Sequence, residues 1–167
     1  MTSAARRDAQ TRGGRPGALV GWRAWRVVVV GGRLRLRSAV YDDDWSSEAP
    51  LAAGCAHGHA APALDCVCGI YASRTPPEAL RYLVGRNDPD VVHRVAGEVE
   101  LWGLTVEGEH GWRSERAYPH RIWVPPRQTN ALAVDVAAIW RELAAYGVPV
   151  TVLDVHEPAA IAWSLAA

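Results

Sequence analysis

The segment from Trp22 to Arg37 constrains the fold more than any other. Trp22-Arg-Ala-Trp-Arg-Val-Val-Val-Val30 is aromatic and β-branched, the residue types that favour a pleated strand. Gly31-Gly32 follows, and two adjacent glycines accept the positive φ angles of a two-residue hairpin turn. Arg33-Leu34-Arg35-Leu36-Arg37 then alternates strictly, so a strand sends its leucines inward and its arginines outward. The segment predicts an antiparallel hairpin with one buried face. Its outward arginines form a local basic stripe, either a solvated sheet face or an anion site.

Further elements follow downstream. Thr75-Pro76-Pro77-Glu78 opens a short helix, with Thr75 as N-cap, Pro76 at the first helical position, Glu78 completing a capping box and Gly85 ending it. Asn87-Asp88-Pro89-Asp90 is a turn. Val91 to Glu107 reads as a strand bent near Ala96-Gly97 and Gly103, where Val99, Leu101 and Trp102 compete for the inner face. Trp112 to Val124 returns beside it, and Pro119 confines that strand to an edge or a bulge. Asn130 offers an N-cap for the strongest helix, Ala131 to Tyr146, with Leu132, Val136, Ile139, Trp140 and Leu143 at helical spacing and Gly147 as its C-cap. Val148 to Leu153 is a last strand, and Glu157 to Leu165 a short terminal helix. This order predicts an α+β fold, mainly an antiparallel β-sheet or one closed into a small barrel, with two to three helices and a metal-pinned loop. Residues 1–18 read as a disordered arginine-rich arm and 19–167 as a single globular domain.

Composition removes several function classes. Of 167 residues, 18 are basic and 18 acidic, and every basic residue is an arginine. A lysine nucleophile, Schiff base or P-loop lysine is therefore impossible. Net neutrality argues against nucleic-acid binding by bulk charge. No stretch approaches the roughly 20 apolar residues of a membrane span, and Met1 to Gly17 lacks the apolar core of a secretory signal. There is no Gly-x-Ser-x-Gly elbow and no dinucleotide fingerprint. The absence of lysine and phenylalanine fits the codon bias of a GC-rich genome.

The chemistry concentrates in one place. All three cysteines and two of six histidines fall between Cys55 and Cys68, in Cys55-Ala-His57-Gly-His59-Ala-Ala-Pro62-Ala-Leu-Asp65-Cys66-Val-Cys68-Gly69. They sit within a segment, residues 46 to 69, that is too long to remain unstructured in a compact domain without something to hold it. Zinc takes four soft or borderline ligands in a tetrahedron. Cys55, His59, Cys66 and Cys68 supply three thiolates and an imidazole, with His57 as the alternative to His59. Asp65 is a candidate to orient the ligand histidine. An iron–sulfur cluster fits less well, because clusters take cysteine at nearly every position and only three are present. The competing readings of the same residues are small buried thiols and a disulfide. An odd number of cysteines without an export signal favours a reducing, cytoplasmic setting.

Several short motifs share a texture. Cys66-Val-Cys68-Gly69-Ile70-Tyr71-Ala72, Gly97-Glu98-Val-Glu100-Leu-Trp102-Gly103, Glu109-His110-Gly111-Trp112-Arg113 and Leu143-Ala-Ala-Tyr146-Gly147-Val148-Pro149 together resemble a group of small actinobacterial proteins. The likeness runs over roughly residues 20 to 153 in scattered pieces. In that group a Cys, a His before an Ala-Pro pair, and a Cys-x-Cys-Gly recur, matching Cys55, His59, Cys66 and Cys68. The resemblance implies a metal site and brings no activity with it.

Other candidates are thinner. His110 sits in a hairpin turn beside Glu107 and Glu109, where a histidine can act as a base. His93 and His156 show no evident partner, and His120 follows Tyr118-Pro119. The Asp42-Asp43-Asp44-Trp45 turn or loop lacks calcium-loop spacing. Eight tryptophans fill a core without phenylalanine or line a pocket. Trp102, Trp112, Arg113 and Arg116 are the candidate ligand-binding residues. The expected function is a zinc-stabilised binding or accessory domain with an aromatic, arginine-lined recognition surface for a small molecule or a protein. The alternatives are a metal-dependent enzyme with an open zinc site, and a protein–protein adaptor using the C-terminal helix with Trp163.

Overall fold

A computed structural model describes residues 17–85, 89–126 and 134–154. Its strands are β1 (Leu19–Val30), β2 (Arg33–Ser38), β3 (Asp44–Trp45), β4 (Leu51–Ala52), β5 (Ile70–Ser73), β6 (Val91–Gly108), β7 (Gly111–Val124) and β8 (Val150–Val152). The helices are α1 (Pro76–Leu80) and α2 (Val136–Leu143), each continued by a single 3-10 turn, Arg81–Leu83 and Ala144–Tyr146. Most of the arm over 1–18, Asn87 and Asp88, the Asn130 cap, residues 131–133, His156, Trp163 and the terminal helix over 157–165 lie outside the described residues.

The hairpin forms as its residues dictate. Trp25 to Val30 pair with Ser38 to Arg33, and Gly31 and Gly32 take φ of 58° and 77° in the turn. Leu36 is fully buried, Leu34 half-buried, and Arg33 and Arg35 are exposed. β1 continues past the hairpin to pair with β6 from Leu19 to Val28. β6 pairs in turn with β7, with breaks in register at Glu98/Val99, opposite Pro119, and between Trp102 and Thr105, around Gly103. Pro119 therefore occupies a bulge. On the other side of β7 it falls between the pairings of β4 (Ala117 and Arg116) and β8 (from Ile122), where among the described residues no strand is paired to Pro119. β5 joins β7 over four residues and β1 at Trp22–Ser73. The pairs β1–β6, β6–β7, β7–β5 and β5–β1 close a ring of four strands. The fold is a mixed α+β one, and among the described residues all strand pairs are antiparallel except β7–β8.

The two helices cover opposite faces of β1. Trp25 and Val27 face Ile139 and Leu143 of α2 within the main core, whereas Ala24 and Ala96 pack with Leu80 and Leu83. Trp25 and Trp45 are at most 1% exposed and meet edge to face at 5.5 Å. Each such indole removes about 150–250 Å² from water, worth about 4–6 kcal/mol at ~25 cal/mol/Å². The Tyr146 hydroxyl accepts from the Leu36 N–H at 3.0 Å and donates to the Trp45 carbonyl at 2.6 Å, tying the end of α2 to β2 and β3.

Several local expectations are corrected. Asp44-Trp45 is a short strand, because the Arg37 guanidinium and the partner strand hold Asp44 in register. Asp135, not Asn130, caps α2, its carboxylate accepting from the Ala137 N–H at 3.2 Å. The helix after Thr75 ends in a 3-10 turn and an extended Val84, without a left-handed glycine at Gly85. Its start is as read: Glu78 accepts from the Thr75 N–H at 3.3 Å and from its hydroxyl at 3.0 Å. Trp140 is 44% exposed and donates to the Val150 carbonyl at 3.0 Å, so it pins β8 from outside the core. Among the described residues no helix is long and apolar enough to cross a membrane.

Candidate metal centre

The loop between β4 and β5 has no regular structure, and no residue from 54 to 69 joins either hydrophobic cluster. It is nevertheless shaped by specific bonds. Gly58 N–H donates to the Cys55 carbonyl at 3.0 Å and Cys66 N–H to that of Ala63 at 3.3 Å, folding two tight turns toward each other. Gly69 then turns the chain into β5 with φ of 121°, and a Cβ there would stand 3.0 Å from both Arg113 Cβ and Pro62 Cβ.

These turns gather the sequence-expected ligands. One donor atom each from Cys55, His59, Cys66 and Cys68 lies within 4.8 Å of the other three. Cys55 Sγ is 3.7 Å from Cys66 Sγ and 3.2 Å from His59 Nε2. Bonds of about 2.3 Å to sulfur and 2.0–2.1 Å to nitrogen, set on a tetrahedron, put sulfurs about 3.8 Å apart and sulfur and nitrogen about 3.6 Å apart. The observed spacing fits a single small cation. It does not fit a disulfide, whose sulfurs stand about 2.05 Å apart, and all three cysteines are free. Nor are they buried thiols, since each is half-exposed.

His57 belongs to the same cluster. Its Nδ1 lies 3.6 Å from Cys55 Sγ and 3.7 Å from Cys66 Sγ, and its ring stacks on His59 at 6.2 Å. Two imidazoles thus reach one thiol pair, brought together by the turn over 56–59 in which Gly58 takes φ of 79°.

The electrostatics favour ligation. Backbone N–H groups supply bonds that hold charge on sulfur: His57 N–H points at Cys55 Sγ at 3.4 Å. The Cys68 N–H and the His57 ring pull the Cys66 thiol down to about 6, while desolvation lifts the Cys68 thiol, so of these two Cys66 is the more readily ionised. His59 Nδ1 is 2.9 Å from the Ala60 carbonyl. That bond calls for a proton on Nδ1 and raises the basicity of the ring, leaving Nε2 as the atom that faces the thiols, the arrangement found behind metal-ligating histidines. Asp65 was the expected orienting group. It is exposed and acts on His59 by charge alone, because the carbonyl one residue along is nearer.

One residue beneath the loop was not foreseen in this role. Arg113 on β7 sends Nη1 to the carbonyls of Cys66, Cys68 (2.8 Å) and Ala63 (3.2 Å). A single guanidinium nitrogen thus gathers the backbone around the Cys-x-Cys pair. Tyr71 on β5 adds a bond from its hydroxyl to the Val67 carbonyl. Sequence spacing gives no hint of the first contact, which joins residues 45 to 50 apart.

The other candidates are spread over the sheet. Trp112 and Arg113 are neighbours on β7 and project to opposite faces. Trp112 carries the Arg74 guanidinium at 4.7 Å, and Arg113 serves the loop. Trp102 is half-buried opposite Arg116, which is exposed and 3.5 Å from Glu115. His110 is exposed and 3.1 Å from Glu78 Oε1. His120 is exposed. His93 does have a partner: it is 2% exposed and bonded to the Pro125 carbonyl at 2.9 Å, and burial lowers its basicity. Asp42 pairs with Arg26 and Asp44 with Arg37, so these two aspartates of the run answer arginines rather than a metal ion.

The Cys₃His group is a candidate metal-binding site in an α+β domain; no family model, curated protein or solved structure matches the chain.

Proposed function

We propose that the chain is a zinc-stabilised binding or accessory domain, in which Cys55, His59, Cys66 and Cys68 hold one structural ion and recognition takes place on the sheet. The observation that carries this reading is the mutual approach of four donor atoms within 4.8 Å, in a loop whose residues 54 to 69 join neither hydrophobic cluster. Such a loop gains its order from ligation, and the binding free energy of a structural metal is then folding free energy. Three sulfurs and one nitrogen select zinc over calcium or magnesium, which take oxygen. Three half-exposed free thiols suit a reducing compartment, and we assign the domain to the cytoplasm. Zinc and iron analysis of protein made with both metals available tests the reading. One zinc per chain supports it, and substoichiometric amounts of both metals overturn it.

A second reading rests on His57. With both imidazoles and one thiolate as ligands, the ion keeps an open position, and a metal-activated water makes a hydrolytic enzyme of the site. A water in the coordination shell favours this reading; a closed Cys₃His shell removes it.

A further inference from the structure

The metal loop carries more donors than a tetrahedral ion uses. Cys55, His57, His59, Cys66 and Cys68 make five, and a tetrahedron has four places. His57 is not remote from the shell. Its Nδ1 stands 3.6 Å from Cys55 Sγ and 3.7 Å from Cys66 Sγ, close to the separation of about 3.6 Å that nitrogen and sulfur take on one zinc ion. His59 Nε2 stands 3.2 Å from the same Cys55 sulfur. The two rings are 13° from parallel, with centroids 6.2 Å apart. Two imidazoles thus wait at the Cys55 edge of the shell, and a Cys₃His set uses one of them.

The two halves of the loop are held differently. The half with Cys66 and Cys68 is tied to the sheet, through Arg113 on β7 and the Tyr71 hydroxyl on β5. Among the described residues, the hydrogen bonds of 55–60 stay inside the loop. Gly58 N–H bonds the Cys55 carbonyl, His57 N–H points at Cys55 Sγ, and His59 Nδ1 bonds the next carbonyl along. Both histidines are exposed, whereas the three cysteines are half-exposed. An incoming molecule therefore meets the imidazole side of the shell first. A ligand can leave from that side while Cys66 and Cys68 keep their places.

We propose that the loop is a zinc-exchange site, in which His57 enters the shell as His59 leaves and an acceptor bearing thiolate or nitrogen donors takes the ion. This rests on the metal reading above and adds to it that the ion is passed on. Zinc imposes no geometry through its d electrons and accommodates a fifth ligand in passing, so a spare donor at ligand distance opens a route for exchange. His57 Nδ1 forms its bond to the ion as the bond to His59 Nε2 breaks, and four ligands remain throughout. Donors of the acceptor then replace those of the chain one at a time. Each sulfur keeps its electron pair when its bond to the ion breaks, and takes up the proton that the incoming donor sheds. No oxidation or reduction is involved.

The test is zinc transfer from the loaded full chain to the chromophoric chelator pyridylazoresorcinol, followed by stopped-flow absorbance over a range of chelator concentrations. Direct exchange gives a rate that rises in proportion to the chelator. Release of free ion before capture gives a rate independent of it. His57→Gln discriminates further, because the sign of its effect depends on the role of the side chain. Loss of a resting ligand loosens the ion and speeds transfer, whereas loss of an entering ligand slows it, here by about tenfold. His59→Gln should still load one zinc per chain, with His57 in the vacated place. Wild-type protein that loads no zinc overturns the metal reading and this one with it. A loaded chain whose rate ignores the chelator concentration, a His57→Gln variant that transfers as fast as the wild type or faster, or a His59→Gln variant without zinc overturns the exchange proposal and leaves the structural ion standing.

Discussion

The sheet around Trp25 and the loop around Cys66 achieve order in opposite ways. In the sheet, Trp25, Val27, Leu36 and Trp45 are almost wholly out of water, and the pattern of apolar residues specifies each strand's face. In the loop, every candidate ligand is half-exposed or exposed, and order comes from thiols, imidazoles and the Arg113 nitrogen gathering carbonyls. The first mechanism is distributed over many side chains and tolerates local change. The second depends on a few polar contacts, each of which is individually decisive. The difference predicts that damage to one region leaves a recognisable signature in the other.

The largest global effect is expected from Trp25→Ala. Removing an indole packed against Trp45 should lower the unfolding free energy by about 3–5 kcal/mol, measured by chemical denaturation. The variant that remains folded should keep its full metal content. Cys68→Ser should do the reverse. It should abolish stoichiometric metal and speed amide exchange over 54–69, while the near-ultraviolet signal of the Trp25–Trp45 pair persists. Loss of that signal would show that the loop and the sheet order each other.

Arg113→Met sharpens the comparison, because Arg113 belongs to the sheet but serves the loop. It should weaken metal retention against a chelator by about 10–100-fold, with little change in the sheet's exchange protection. Asp135→Ala tests the α2 cap alone and should cost about 1 kcal/mol.

The smallest effect is a pH dependence. Burial lowers the His93 pKa in the folded protein, so the unfolded chain takes up the proton first as pH falls. The stability His93 contributes is intact above about pH 6.5 and declines from there as pH drops through the folded value. His93→Gln should flatten that part of the stability–pH curve in both metal-loaded and metal-stripped protein. An unchanged curve would assign the slope to other groups.

Local order was legible at several places where neighbouring residues determine it. The Gly31-Gly32 turn, the Arg/Leu alternation, the Thr75–Glu78 cap and the irregularities at Pro119 and Gly103 could all be read in place. The approach of Cys55, His59, Cys66 and Cys68 was legible because ligand chemistry restricts the residue types and all four fall within fourteen residues. What could not be read was register between distant strands. Nothing near Arg26 shows that Arg37 and Arg94 flank it, and nothing near Cys66 names Arg113. The closure of the ring through β5 and the parallel pairing of β8 depend on the same non-local registers. Asn130 and Asp135 are equally good caps by residue type, and Asp135 caps the described helix, because Val136, Ile139 and Leu143 dock on the core and set where it begins.

The central claim is a closed Cys₃His shell around one ion. X-ray absorption at the edge of the bound metal tests it most directly. The account predicts a zinc edge with three sulfurs at about 2.3 Å and one nitrogen at about 2.0–2.1 Å. Fewer sulfurs with an added oxygen, or no zinc edge from fully folded protein, would contradict it.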